Sequence, residues 1–339
     1  MMAMSRRNAV IYILLFLAGC FYTVHSTLTN DSPYVNLRAW SEGRERLPYQ
    51  KRALLVPLIR AAEHNSRLAR MGASHKGLGI FEEPANYVLF VIDFSALVGC
   101  GLLVTFLYRR ASNNGALIWL PSTLLLMFFV ITVGFRWEHQ DIFPYDFLSM
   151  FLFSLGLYFI YRGWLWPLFV LMPIATYNRE TTIMWVPLLL LAAWVSSLEG
   201  GSQRRRVMQL CITAAILLAA WVVITHRMAQ PFLHNNAMDD YPRFFKNIRY
   251  VSGPKGLIQT ISVFAFTLPF LCLYFRRIPD RLLRTFFYVV PLWFGVMFYQ
   301  GEIIESRVFA ELIPYVAVIS VLIFESSYLP APHDEAISR

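Results

Sequence analysis

Ten apolar stretches alternate with polar segments along almost the whole chain, at roughly 9–28, 86–108, 116–134, 147–161, 164–178, 182–198, 207–225, 257–275, 284–300 and 308–325. About 20 apolar residues in a helix cross the ~30 Å hydrocarbon layer of a bilayer. A helix also satisfies its own backbone hydrogen bonds where no water is available. The pattern therefore predicts an all-α polytopic membrane protein of about ten transmembrane helices. Residues 1–325 form one transmembrane domain, and 326–339 a short tail. The fourth and fifth spans are short and share a tight turn, Tyr161-Arg162-Gly163-Trp164.

Polar positions between the spans set an orientation. With the N-terminus inside, the inner segments carry Arg6/Arg7, Arg109/Arg110, Arg162, Arg204/Arg205/Arg206 and Arg276/Arg277/Arg281/Arg284. The short outer turns hold only Arg136, Arg179 and Arg307. An excess of arginine in short cytoplasmic loops is the positive-inside pattern. Both termini are then cytoplasmic, in a bacterial inner (plasma) membrane. Tyr87, Trp119, Trp137, Trp164, Trp166 and Trp185 fall near span ends, where amphipathic rings favour the headgroup level.

Two longer segments, 29–85 and 226–256, fall on the outer side. Within the first, Leu54, Leu55, Leu58, Ile59, Ala62 and Ala69 form a helical stripe over 50–70, with Arg52, Arg60, Glu63, Arg67 and Arg70 elsewhere. This predicts an amphipathic helix lying in the membrane interface; the alternative is a helix packed on the spans. Pro57 either kinks it or marks its start.

Composition agrees with the pattern. Of 339 residues 57% are hydrophobic and only 15% charged, against about 25% charged in soluble domains. The net charge of +9 reads as orientation and contact with anionic lipid. No zinc-finger, helix-turn-helix or Gly-rich phosphate-loop pattern is present, and no nucleic-acid partner is expected. Cys20, Cys100, Cys211 and Cys272 all fall within apolar spans and read as packing residues. Leu17-Ala18-Gly19-Cys20 looks like a lipoprotein cleavage box. The apolar run continues through Phe21, Tyr22 and Val24, which favours an uncleaved first helix.

Candidate chemistry is concentrated in the outer turns. Phe135-Arg136-Trp137-Glu138-His139-Gln140-Asp141 leads into Pro144-Tyr145-Asp146. Tyr177-Asn178-Arg179-Glu180-Thr181 and Gly301-Glu302-Ile303-Ile304-Glu305-Ser306-Arg307 join later spans, and Asn30-Asp31-Ser32-Pro33-Tyr34 follows the first. Charges near span ends need partners or a function; simple Arg–carboxylate pairing between span ends is the plainer alternative. Asp31, just outside the bilayer, could accept a proton from a reacting hydroxyl or amine, or could open a turn. Glu138, His139 and Asp141 could hold a hard cation such as Mg²⁺ or Mn²⁺. Arg179, Arg307, Arg243, Lys246, Arg249 and Lys255 suit phosphate, with lipid headgroups as the alternative for 226–256. Asp93, roughly 10 Å into the second span, must face the interior of the bundle, in a structural or cavity-lining role.

This layout resembles the GT-C superfamily of integral membrane glycosyltransferases. The resemblance covers residues 1 to about 325 and is one of layout more than of strict motif. It implies transfer of a sugar from a polyprenyl-phosphate donor to a glycan, lipid or protein acceptor on the outer face. It matches Asp31 to the family's acidic residue after the first span, and Glu138 or Asp141 to the one in the second outer loop. These three are the catalytic candidates. His139, Arg52, Arg179, Glu180, Arg243, Lys246, Glu302, Glu305 and Arg307 are the expected substrate-binding residues. The chain departs from the family in having no Asp-Asp, Asp-Glu or Asp-x-Asp pair after the first span. Other lipid-linked glycan enzymes (a polymerase, ligase or acyltransferase) and a transporter or flippase are the competing classes.

Overall fold

The computed structural model describes residues 5–29, 35–75, 79–134, 142–199, 203–235, 242–303 and 305–329. Among these the chain is all-helical, with no β-strand. The long helix α1 (Arg6–Thr29) is followed by three short ones, α2 (Leu37–Ser41), α3 (Val56–Glu63) and α4 (Ser66–Ser74). Then come α5 (Pro84–Ala111), α6 (Leu120–Gly134), α7 (Asp146–Arg162), α8 (Trp166–Asn178), α9 (Trp185–Ser197) and α10 (Arg204–Ala229). The last six are α11 (Phe244–Val251), α12 (Pro254–Ser262), α13 (Leu268–Tyr274), α14 (Arg281–Phe286), α15 (Val289–Gln300) and α16 (Ile313–Tyr328). Proline in the first turn starts α3, α5, α8, α12, α13 and α16, where its missing N–H costs nothing. Gly163 closes α7 with a φ of 70°, as the tight turn requires.

Among the described residues, six stretches are long and apolar enough to cross a membrane: Arg6–Thr29, Pro84–Ala111, Glu180–Ser197, Arg204–Phe232, Arg281–Gln300 and Ser306–Tyr328. The other four predicted spans are helical but shorter or broken. Helices α6, α7 and α8 have 15, 17 and 13 residues. The segment 257–275 is divided between α12 and α13 because Phe264, Ala265 and Phe266 take left-handed φ values of 57°, 53° and 62°. Such a backbone costs non-glycine residues on the order of 1–3 kcal/mol each. Here Phe264 is fully buried and its N–H donates to Thr132 Oγ1 at 2.9 Å.

Burial separates the long helices into two kinds. From Ser306 to Ile323 every residue is buried, with α16 packed against α5, α6 and α7. By contrast α1 exposes Val10, Ile11, Leu14 and Leu15, and α10 exposes Met208, Ile212, Ile216 and Val223. Helices that are apolar on their exposed face need a lipid or protein cover. Gly156 on α7 lets the indole of Trp185 lie directly on the backbone, where a side chain would collide with the ring.

The predicted helix over 50–70 is corrected to two. Pro57 sits in the first turn of α3 and marks its start. The chain breaks at His64–Asn65, and Asn65 caps α4 by accepting from the N–H groups of Arg67 and Leu68. The stripe also divides. Leu55, Ile59 and Ala62 are buried against α2 and α5, whereas Leu58 and Ala69 are exposed. With Val35, Leu37, Trp40, Tyr49, Phe143 and Tyr145, the inner residues of α3 form a small second core. Cys20 and Cys100 pack in the main core, but Cys211 and Cys272 are exposed, contrary to a packing role for all four.

The arginine clusters gather at one end of the bundle. The guanidinium of Arg206 lies beside Gly163. Tyr161 donates to Asp280 at 2.9 Å, Ser112 to Glu325 at 2.8 Å, and Arg277 to Ser327 at 3.1 Å. The phenol of Tyr12, near the start of α1, donates to the Trp119 carbonyl at 2.8 Å. This arginine-rich end contrasts with the opposite one, where the turns around Asp146, Arg179 and Arg307 meet.

Candidate functional site

Four segments far apart in sequence converge at that opposite end. The centre is Asp146, the first residue of α7. Its Oδ2 accepts the N–H of Phe143 at 3.0 Å, which fixes the carboxylate against its own turn. Its Oδ1 takes Arg179 Nη1 at 3.1 Å and Arg307 Nη1 at 3.4 Å. Arg179 also pairs with Glu311 at 3.2 Å, and Glu311 accepts the hydroxyl of Thr181 at 2.7 Å. Arg307 pairs with Glu305 at 2.5 Å and stacks 3.6 Å from the centre of the Phe143 ring.

Glu180 faces a different set. It takes Lys51 at 3.0 Å and Arg52 at 3.2 Å, and Arg52 donates to the Tyr145 hydroxyl at 2.5 Å. The local backbone explains the split. Arg179 ends α8 in an extended conformation, φ −164° and ψ 139°, and successive side chains on extended backbone point to opposite sides. Arg179 is thus sent toward Asp146 and Glu311, and Glu180 toward Lys51 and Arg52. The Glu180 carbonyl is held by Trp221 Nε1 at 2.8 Å, and Asn178 donates to Ser149 at 2.8 Å and to the Tyr145 carbonyl at 3.1 Å.

Formal charge closes to zero: Lys51, Arg52, Arg179 and Arg307 against Asp146, Glu180, Glu305 and Glu311. Buried charges persist only when paired and hydrogen-bonded. The side chains of Asp146 and Glu311 are 2% and 1% exposed, and those of Arg179 and Arg307 5%. The Nε atoms of Arg179 and Arg307 are buried without a hydrogen-bond partner among the described residues. Tyr49, stacked on Phe143 at 4.9 Å, borders the network. Burial, reinforced by the charge of Glu305, pushes its phenol up to about 12.

A second, wetter group lies beside the first. Glu302 pairs with Arg243 and, at 2.6 Å, with Lys246, whose side chain is 55% exposed. Asn247 is buried and donates to the carbonyls of Phe298 and Gly301, fastening α11 to the end of α15. The Glu305 N–H donates to the Glu302 carbonyl at 2.9 Å, so the two groups adjoin along the chain.

Of the sequence-predicted residues, Arg52, Arg179, Glu180, Glu305 and Arg307 meet in one network, while Arg243, Lys246 and Glu302 form its neighbour. Asp31, Glu138, His139 and Asp141 lie outside the described residues. No group of three or more His, Cys, Asp or Glu able to hold a metal occurs among the described residues. Asp93 is buried within α5. Sequence reasoning missed Asp146, Glu311, Lys51 and Tyr145 as members of the site. Glu311 carried a usable signal, an acid inside the predicted span 308–325. No protein family, no curated protein and no solved structure matches the chain.

Proposed function

We propose that the chain is a GT-C-like membrane glycosyltransferase, moving a sugar from a polyprenyl-phosphate donor to a glycan, lipid or protein acceptor. In this reading the arginine-rich end and both termini face the cytoplasm of a bacterial inner membrane. The network end faces outward, the shorter helices complete about ten crossings, and 35–74 lies at the outer interface. The supporting observation is the convergence of Arg52, Arg179, Glu180, Glu305 and Arg307 on one end. Val35 and Phe143, close to the segments that carry Asp31 and Glu138–Asp141, pack into the same small core with Tyr145.

The chemistry follows from those residue types. An acceptor O–H or N–H attacks the anomeric carbon, the bond from that carbon to the phosphate oxygen breaks, and polyprenyl phosphate leaves. Asp31 takes the acceptor proton. Glu138 or Asp141, with His139, positions the acceptor or a divalent cation. Arg243 and Lys246, which are partly exposed, hold the leaving phosphate by exchanging Glu302 for it. The buried network keeps the turns in register, so catalysis rests on positioning and charge stabilisation.

The test is incubation of the purified chain with a panel of polyprenyl-phosphate sugars and membrane extract. Product formation is expected, and Asp31→Asn should lower turnover by about 10²-fold or more while donor binding persists. Undiminished turnover removes Asp31 from the mechanism. Lipid flipping without product assigns the chain to the transporters. Acyl transfer lost in His139→Ala assigns it to the acyltransferases.

A further inference from the structure

At the arginine-rich end, the last turn of α9, the turn Phe275–Arg277 and the start of α14 enclose an open cavity of about 330 Å³. Arg276, Arg281 and Arg284 line it. None of the three pairs with a carboxylate among the described residues. Asp280, adjacent in sequence, is already engaged: Oδ1 caps α14 through the Leu283 N–H at 2.8 Å, and Oδ2 accepts from Tyr161 at 2.9 Å. Arg284 donates to the Arg276 carbonyl at 3.3 Å, which sets its guanidinium against the turn that carries Arg276. Like charges around one hollow repel unless an anion sits among them.

The remaining wall is of the opposite character. Trp194, Leu198 and Tyr288 line the same cavity and are 49%, 54% and 49% exposed. The rings of Trp194 and Tyr288 lie 6.4 Å apart. Amphipathic rings of this kind favour the level of the headgroups. The three guanidinium forks match phosphate oxygens; the exposed apolar side chains of the same lining match acyl chains. We propose that this cavity binds a phosphate group, carried by an anionic lipid of the surrounding leaflet. The inference is independent of the transferase reading and concerns the other end of the molecule.

The experiment is native mass spectrometry of the full chain, released from detergent after equilibration with dioleoylphosphatidylglycerol or dioleoylphosphatidylcholine. Phosphatidylglycerol should be retained in preference. Arg281→Gln/Arg284→Gln should reduce its retention about tenfold or more. Arg276→Gln, a single exposed change that leaves helix packing alone, should reduce it severalfold. Arg204→Gln/Arg205→Gln, exposed arginines at the same end but outside the cavity, should leave it within about twofold. Inorganic phosphate forms the second arm, read by thermal stabilisation. Saturable stabilisation lost in the same variants, without lipid retention, keeps the phosphate site and makes its source soluble. Equal phosphatidylglycerol retention in all variants, with no phosphate effect, overturns the proposal.

Discussion

Arg179 and Arg307 stand at one end of the bundle with 5% of their side chains exposed, each against two carboxylates. Arg276 and Arg281 stand at the other end, exposed, with no carboxylate against them among the described residues. The residue type is the same, and solvation decides its part. Where water is excluded, an unpaired guanidinium would cost several kcal/mol, so the network end balances four bases with four acids. Where water or headgroups remain, an excess of charge is tolerable and is left available to a partner or a membrane surface. The two ends should therefore respond to charge removal by very different amounts.

The largest effect is expected at Asp146, the acceptor shared by Arg179 and Arg307. Asp146→Ala leaves Arg179 with Glu311 alone and Arg307 with Glu305 alone, and the buried network one negative charge short; unfolding in detergent should show a loss of about 3–5 kcal/mol. The matching change at the other end, Arg284→Gln, should move stability by no more than about 0.5 kcal/mol. Similar losses for both would erase the contrast. A step smaller, Glu311→Gln keeps an acceptor for Thr181 but removes the charge facing Arg179. It should cost about 2 kcal/mol, the range of a hydrogen bond to a charged group.

The wetter pairs at the network end fall between the extremes. Glu302→Gln releases Arg243 and Lys246, which are partly exposed. The effect on stability should stay below about 1 kcal/mol. Under the proposed reaction, the same change should tighten binding of a polyprenyl-phosphate donor, since the carboxylate no longer competes for those cations. A loss of stability as large as that of Asp146→Ala would place Glu302 with the buried set instead.

Much of this contrast was legible in the sequence. Each of the ten apolar stretches contains helix, and the clusters from Arg109 to Arg284 do share one end, because apolar runs and loop arginines are local signals. What could not be read was long-range. Arg52 and Glu180 are 128 positions apart, and no periodicity links them. Asp146 was noted only as the close of a loop, since a sequence gives no sign that it faces both Arg179 and Arg307. The stripe over 50–70 misled because a helical period continues through Asn65, whose side chain offers the backbone a cap and so restarts the helix. The break in 257–275 is set by the left-handed turn at Phe264–Phe266, conformations that aromatic residues seldom adopt and no local pattern announces.

The smallest effect tests whether the network reaches its border. Tyr49 is 6% exposed, and its phenol is pushed from the usual 10 up to about 12 by burial first and by Glu305 next. Between those values the folded chain keeps the proton while the unfolded chain has lost it, so unfolding releases a proton and stability falls as pH rises. The stabilisation is complete below about pH 10 and is lost as pH rises toward 12. Tyr49→Phe cannot ionise, so the difference in unfolding free energy between wild type and variant should be flat below pH 10 and shift in favour of the variant above it. Parallel curves through pH 12 would mean that Tyr49 titrates as a solvated phenol. Glu305→Gln sharpens the point: removing a negative neighbour should bring the ionisation of Tyr49 to lower pH. A Tyr49 titration unmoved by that change would detach Tyr49 from the network, leaving burial alone to explain the shift.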